Sequence, residues 1–227
     1  MDQYPRFPCP RTKLTSSSFI FTFVPCDLVD GCLVHLGFKT AWDEISEAVF
    51  EGVATAKQEH PDFKIVVTGH SLGGALATLA SGYLRKSNYT LDMYTYGSPR
   101  AGNEAFASFI TSQPGREYRI THLDDIVPKL PPLILGYRHT SPEYWLSTGD
   151  DTTVDYGVED IKVCDGTASL GCNSGTLGVS FEAHGYYFQE MTGCDGPPAL
   201  ASVRTESVNE KSFVDRLKEA GLDPSVQ

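Results

Sequence analysis

An α/β fold, with a central, mostly parallel sheet flanked by helices, is what this sequence predicts, and two observations carry the prediction. Between residues 40 and 122, short apolar, β-branched runs alternate with segments of helical period. That alternation implies parallel strands joined by right-handed crossovers. Within it, Val66–Ala80 (VVTGHSLGGALATLA) passes from a strand-like run, over glycine and serine, straight into an alanine-rich segment. The 227 residues suit one domain with a sizeable core.

Taken in order, residues 40–60 read as an amphipathic helix, with Trp42, Ile45, Val49, Val53 and Ala56 near helical period. Thr40 with Asp43 resembles a capping box, and Pro61 ends the segment. Phe63–Thr68 is a short buried strand and Leu72–Arg85 a helix. Asp92–Tyr96 is a second strand, leading into the turn Gly97-Ser98-Pro99. Asn103–Thr111 is a helix and Tyr118–His122 a third strand. From about Tyr137 the pattern changes to short β-like pieces, at Tyr137–Thr140, Tyr144–Ser147 and Ile161–Val163. A glycine-rich loop (165–178) and a short aromatic helix (His184–Glu190) follow. The chain divides into an atypical segment (1–18), the α/β domain (19–194) and a polar tail (195–227) with a weak helical stretch near Phe213–Ala220.

A net charge of −11 argues against nucleic acid, which needs clustered Lys and Arg, and against an anionic membrane surface. It leaves a neutral lipid surface open. No apolar run is long enough to span a bilayer, and the polar, Pro-rich start carries no secretion signal. The six cysteines point to an oxidising compartment: Cys26 and Cys32 bracket a short loop, as do Cys164 and Cys172, while Cys9 and Cys194 lie near the ends. None has the spacing of a zinc or redox CxxC motif.

Gly69-His70-Ser71-Leu72-Gly73 is G-x-S-x-G, placed between a strand and a helix. Such a turn strains the central residue and lifts its hydroxyl clear of the sheet. The N–H of Leu72, at a helix start, is then aimed at any oxyanion forming there. A serine hydroxyl needs a base, and the base an orienting carboxylate, in the chain order Ser, acid, His. That order eliminates His35, His60, His70 and His122 and leaves His139 and His184. His139 sits in a strand-like piece, so His184, after a flexible loop, is preferred. Asp124 and Asp125 lie just beyond a strand end, where sites on α/β sheets gather. Ile126, Val127 and Pro128 would anchor Asp125, with Asp124 as the alternative; Asp150, Asp151 and Asp155 read as solvated.

At these residues the chain resembles the filamentous-fungal class 3 lipases, an α/β-hydrolase family. HLGF (35–38), VVTGHSLGGALATLA, YGSPRAGN (96–103), RITHLDDIVPKLPP (119–132), HTSPEYW (139–145) and AHGYYF (183–188) look like family segments in family order. The resemblance implies a Ser71–Asp125–His184 triad, hydrolysis of acylglycerols or other water-insoluble esters at a lipid–water interface, and secretion. It also implies a Cys26–Cys32 disulfide and no metal or organic cofactor.

The chain departs from the family at its N-terminal end. Family members carry several further strands, an FRGS-type strand end that supplies the first oxyanion donor, and a lid helix, whereas no Phe-Arg-Gly occurs here. An N-terminally incomplete hydrolase, with Leu72 as its remaining donor, is therefore the expectation. Losing one such donor typically costs ~10²–10³ in kcat. Leu130, Pro131, Leu133, Ile134 and Leu135 are candidates for an acyl groove. Alternatives to a triacylglycerol lipase are a feruloyl-type esterase of the same fold and a truncated, non-catalytic homologue.

Overall fold

The computed structural model describes residues 21–191 together with 218, 219, 221 and 222. Phe23–Pro25 (β1) and Leu33–His35 (β2) pair antiparallel, and the Cys26–Cys32 disulfide closes the loop between them. The helix α1 (Leu36–Glu59) follows at once. It begins earlier than the Thr40–Asp43 pair suggests, because His35 caps it: Nδ1 accepts from Gly37 N at 3.1 Å and Phe38 N at 3.4 Å. A buried imidazole here does what a Ser or Asp oxygen does at most N-caps. Asp43, freed of capping, pairs with Lys39 one turn back.

The main sheet is built from β3 (Ile65–His70), β4 (Leu91–Tyr96), β5 (Glu117–His122), β6 (Glu143–Leu146) and β7 (Ile161–Cys164), in that spatial order. The first four run parallel and β7 runs antiparallel to β6. Helices α2 (Leu72–Lys86) and α3 (Glu104–Thr111) make the crossovers. Asn103 caps α3, accepting from Phe106 N at 3.1 Å. One face of the sheet packs Leu91 and Met93 against Trp42, Leu79, Leu84, Phe106 and Ile110 from the helices. The other face gathers Tyr118, Ile120, Tyr144, Leu146 and Tyr187. Each large apolar side chain fully buried this way contributes roughly 1.5–3 kcal/mol.

The central strand β5 is buried along its whole length, charged residues included. Arg119 meets Glu143 across the β5–β6 ladder at 3.1 Å, and its Nε donates to Thr140 O at 2.8 Å. Glu143 also accepts from the Thr121 hydroxyl at 2.6 Å and Asn173 N at 3.2 Å. Burial pushes the carboxyl of neighbouring Glu117 up to about 7, against the pull of Arg85 and Arg119.

Three short elements differ from the sequence expectation. The strand expected as buried at Phe63–Thr68 is the edge strand β3, which starts at Ile65 and leaves Val66 exposed. Tyr137–Thr140 is not a strand: Arg138 N bonds Gly102 O while His139 N turns to Thr167 O, so no single partner strand is available. His184–Glu190 is not a helix. Ala183–Gly185 makes one 3-10 turn, and the chain then doubles back with a Tyr186–Glu190 bridge. Phe188 at φ +53° is left-handed and cannot continue a right-handed helix. A second disulfide, Cys164–Cys172, closes the loop after β7. Segment 1–18, Cys9, Cys194 and most of the tail lie outside the described residues; Leu222 O accepts the Tyr144 hydroxyl at 3.0 Å.

Candidate active site

The β3–α2 junction holds Ser71 at φ +56°, ψ −127°. A positive φ at a non-glycine residue costs about 1–3 kcal/mol and persists only where the surroundings impose it. Here Ser71 N donates to Tyr96 O at 3.0 Å, while Gly74 N, inside α2, donates to Ser71 O at 2.9 Å. The bend brings backbone onto backbone. A Cβ at Gly69 would lie 2.1 Å from Gly73 O, whereas a Cβ at Gly73 would meet nothing within 4 Å. The close approach therefore demands glycine at 69, and residue 73 contributes its main chain. Leu72 is the first residue of α2, so its N–H has no helix carbonyl behind it and lies at the positive end of the helix dipole.

Ser71, Asp125 and His184 are brought together from three parts of the chain. His184 Nε2 is 2.8 Å from Ser71 Oγ, and Nδ1 is 2.8 Å from Asp125 Oδ2. The Asp125 side chain is fully buried and that of His184 is 18% exposed. Oδ1 of Asp125 accepts from Val127 N at 2.8 Å and Oδ2 from the Tyr187 hydroxyl at 2.5 Å. A carboxylate surrounded by donors makes Nδ1 the protonated imidazole nitrogen, which leaves Nε2 free to accept the serine proton.

The competing residues are engaged elsewhere. Asp124 O accepts Ser180 N at 3.0 Å, and its carboxylate packs on Gly178. His139 Nε2 donates to Pro128 O at 2.7 Å, and burial beside Arg119 and Arg100 holds its pKa well below the usual imidazole range. Asp150 accepts bonds from Thr152 and Thr153, Asp151 accepts the Ser180 hydroxyl, and Asp155 is exposed. Of the candidate groove residues, Leu133–Leu135 form a 3-10 turn with Ile134 92% exposed. Leu177, Val179 and Phe181, in the loop that leads to His184, are exposed as well. Arg100 steadies the groove segment by donating to the carbonyls of Lys129 and Pro131. A cavity of about 370 Å³ opens beside His70, lined also by Tyr96, Tyr187, Phe188 and Met191. Among the described residues no group of three or more His, Cys, Asp or Glu is arranged to hold a metal ion. None of the helices among the described residues is long and apolar enough to cross a membrane.

Sequence reasoning missed Tyr187, Asn173 and Gly97. Asn173 Nδ2 ties the carbonyls of Leu123 and Asp125 together at 3.0 and 2.9 Å. Gly97 was legible as a turn glycine, but only the folded chain places it under the triad. It adopts φ +56°, and a Cβ there would lie 2.9 Å from Asp125 Oδ2, 2.9 Å from the Tyr187 hydroxyl and 3.0 Å from His184 Cε1. Gly97→Ala is expected to slow phosphonylation of Ser71 by a fluorophosphonate roughly 10²-fold, since displacements of about 1 Å carry that penalty. The labelling rate checks it, with the melting temperature as control; an unchanged rate would contradict the packing described.

Comparison with known proteins gives a consistent set of likenesses. The family model described as "Lipase (class 3)" matches residues 11–135. Secreted mono- and diacylglycerol lipase 1 of Fusarium solani is 56% identical over 194 residues, covering 86% of this chain and 58% of its own length. Secreted mono- and diacylglycerol lipase A of Penicillium cyclopium is 44% identical over 191 residues, covering 82% of this chain and 61% of its own. The crystal structure of the mono- and diacylglycerol lipase from Aspergillus oryzae superposes with a TM-score of 0.73 at 42% identity, over 79% of this chain and 67% of that one. The chain thus spans about three fifths of the length of the curated relatives it matches.

Proposed function

Because the chain belongs to the class 3 lipase family, we propose that it is part of a secreted carboxylic-ester hydrolase that cleaves acylglycerols through an acyl-enzyme on Ser71. Its fold is that of the α/β-hydrolases. The observation that carries the reading is the unbroken Ser71–His184–Asp125 hydrogen-bond chain, both links 2.8 Å long.

In the proposed reaction the Ser71 oxygen attacks the ester carbonyl carbon as its proton passes to His184 Nε2. Buried Asp125 stabilises the imidazolium and holds its tautomer. The Leu72 N–H donates to the tetrahedral oxyanion. His184 returns the proton to the departing glycerol oxygen, and the C–O bond breaks. Water, deprotonated by His184, then attacks the acyl carbon and releases the fatty acid and Ser71. The exposed Ile134, Leu177, Val179 and Phe181 are apolar side chains suited to contact acyl chains or a lipid surface. Two disulfides among the described residues, and relatives named as secreted, support an extracellular location.

The relatives' names favour mono- and diacylglycerols within the acylglycerol class. Fatty-acid release from dispersed mono-, di- and trioleoylglycerol, with methyl ferulate alongside, tests this. Release is expected to be fastest from the partial glycerides. Faster cleavage of methyl ferulate would replace the acylglycerol assignment with the aromatic-ester alternative.

A further inference from the structure

Two histidines outside the triad touch the turn that carries His184, and they do so by opposite ring nitrogens. His70, the last residue of β3, places Nε2 2.8 Å from His184 O. His122, the last residue of β5, places Nδ1 2.9 Å from Ala183 O. A carbonyl oxygen only accepts, so the touching nitrogen carries the hydrogen in each ring. At His122 the remaining Nε2 then accepts from the Tyr156 hydroxyl at 2.7 Å, which completes a buried chain from Tyr156 through His122 to the turn. Since β3 and β5 flank β4, the turn is held from both sides over the end of β4, where Gly97 leaves room for the imidazole.

The turn needs such support. It is a single 3-10 turn closed by Gly185 N to Glu182 O at 2.8 Å and Tyr186 N to Ala183 O at 3.4 Å, at the end of a long glycine-rich loop. Its main-chain link to the sheet runs through Ser180, whose hydroxyl accepts Ala183 N at 3.0 Å and whose backbone pairs with Asp124 and Ile126 past the end of β5; the link at the end of β3 comes from the His70 side chain. The two carbonyls gripped belong to His184 itself and to the residue before it. The His70 ring also packs on the His184 ring, with centroids 4.5 Å apart. Burial first, then the nearness of His184, holds the His70 pKa below the usual imidazole range.

We propose that His70 and His122 are positioning residues that grip the consecutive carbonyls of His184 and Ala183, from Nε2 and Nδ1 respectively, and so set the His184 imidazole against Ser71. This rests on the ester-hydrolase reading for its kinetic consequence only.

The opposite use of the two nitrogens gives a crossed test. The amide nitrogen of Asn stands where His Nδ1 stands relative to Cβ, and that of Gln stands where Nε2 stands. His70→Gln and His122→Asn therefore keep the gripping donor, while His70→Asn and His122→Gln remove it. Two readouts are taken on all four variants: kcat and KM on a soluble ester, and the His184 Nδ1 proton resonance by NMR. Expected are His70→Gln and His122→Asn within about threefold of wild type, and His70→Asn and His122→Gln down roughly 10–100-fold in kcat with KM unchanged. The resonance should be retained in the first pair and shifted or lost in the second. Equal effects of Asn and Gln at either position would overturn the proposal, because a merely space-filling histidine does not distinguish the two amides. If wild type itself turns over no ester, the hydrolase reading fails, and the resonance still decides the grip by the same crossed pattern.

Discussion

Ser71→Ala is expected to lower ester turnover by about 10⁶-fold while leaving the fold intact. The size follows from how the three residues act together. Among the described residues the polar partner of His184 Nε2 is the Ser71 hydroxyl at 2.8 Å, and without it the base has no nucleophile to activate. His184→Ala is expected to cost about as much, and the double variant little more than either, because the groups function as one unit. Asp125→Asn should cost about 10⁴-fold, since an amide at that position disturbs the tautomer that keeps Nε2 free. Fluorophosphonate labelling of wild type and its loss in Ser71→Ala, followed by mass spectrometry of the intact chain, gives the qualitative answer. Circular dichroism of the variant removes unfolding as an explanation. Undiminished labelling of Ser71→Ala would place the reactive group elsewhere and end the triad assignment.

Arg119→Met should destabilise the protein by about 3–5 kcal/mol, the usual consequence of stripping one partner from a buried ion pair. Arg119 and Glu143 are 3% and 2% exposed, so the carboxylate left behind has no access to water. Met fills similar volume and removes only the charge and its donors. For a protein of this size the loss corresponds to a fall in melting temperature of roughly 10 °C. The cause can be separated from lost packing by adding Glu143→Leu. If the uncompensated charge dominates, the double variant recovers part of the stability, even though the Thr121 hydroxyl and Asn173 N lose their acceptor. A double variant less stable than Arg119→Met alone would show that Glu143 is held chiefly by those neighbours.

The parts of the fold legible in the sequence were those set by local pattern. The β3–α2 junction could be read because a β-branched run, a glycine and an alanine-rich helix follow one another without interruption. Strands β4 and β5 were recognisable for the same reason, each being a continuous run between turn residues. Tyr144–Ser147 and Ile161–Val163 fall on β6 and β7, but Tyr137–Thr140 was not legible, since its geometry depends on partners distant in the chain. Arg138 and His139 face Gly102 and Thr167, and no window around them contains that information. The α1 start was misplaced because capping by an imidazole has no compositional signature, whereas the Thr40–Asp43 spacing does.

At the candidate site, the sequence by itself supplied the proposed chemical cast: a serine on a strand–helix bend, an acid past a strand end and a histidine after a loop, in the chain order the proposal needs. The sequence preferred Asp125 and left Asp124 as the alternative; the tertiary structure turns the Asp125 carboxylate onto the imidazole and the Asp124 carboxylate toward Gly178. It also decided the support. Gly97 and Tyr187 lie against Asp125, and His70 and His122 reach the turn that carries His184, from positions remote in sequence. Residue type and spacing record what a side chain can do. The distances that let it do so arise from packing, which sums contributions from the whole chain at once.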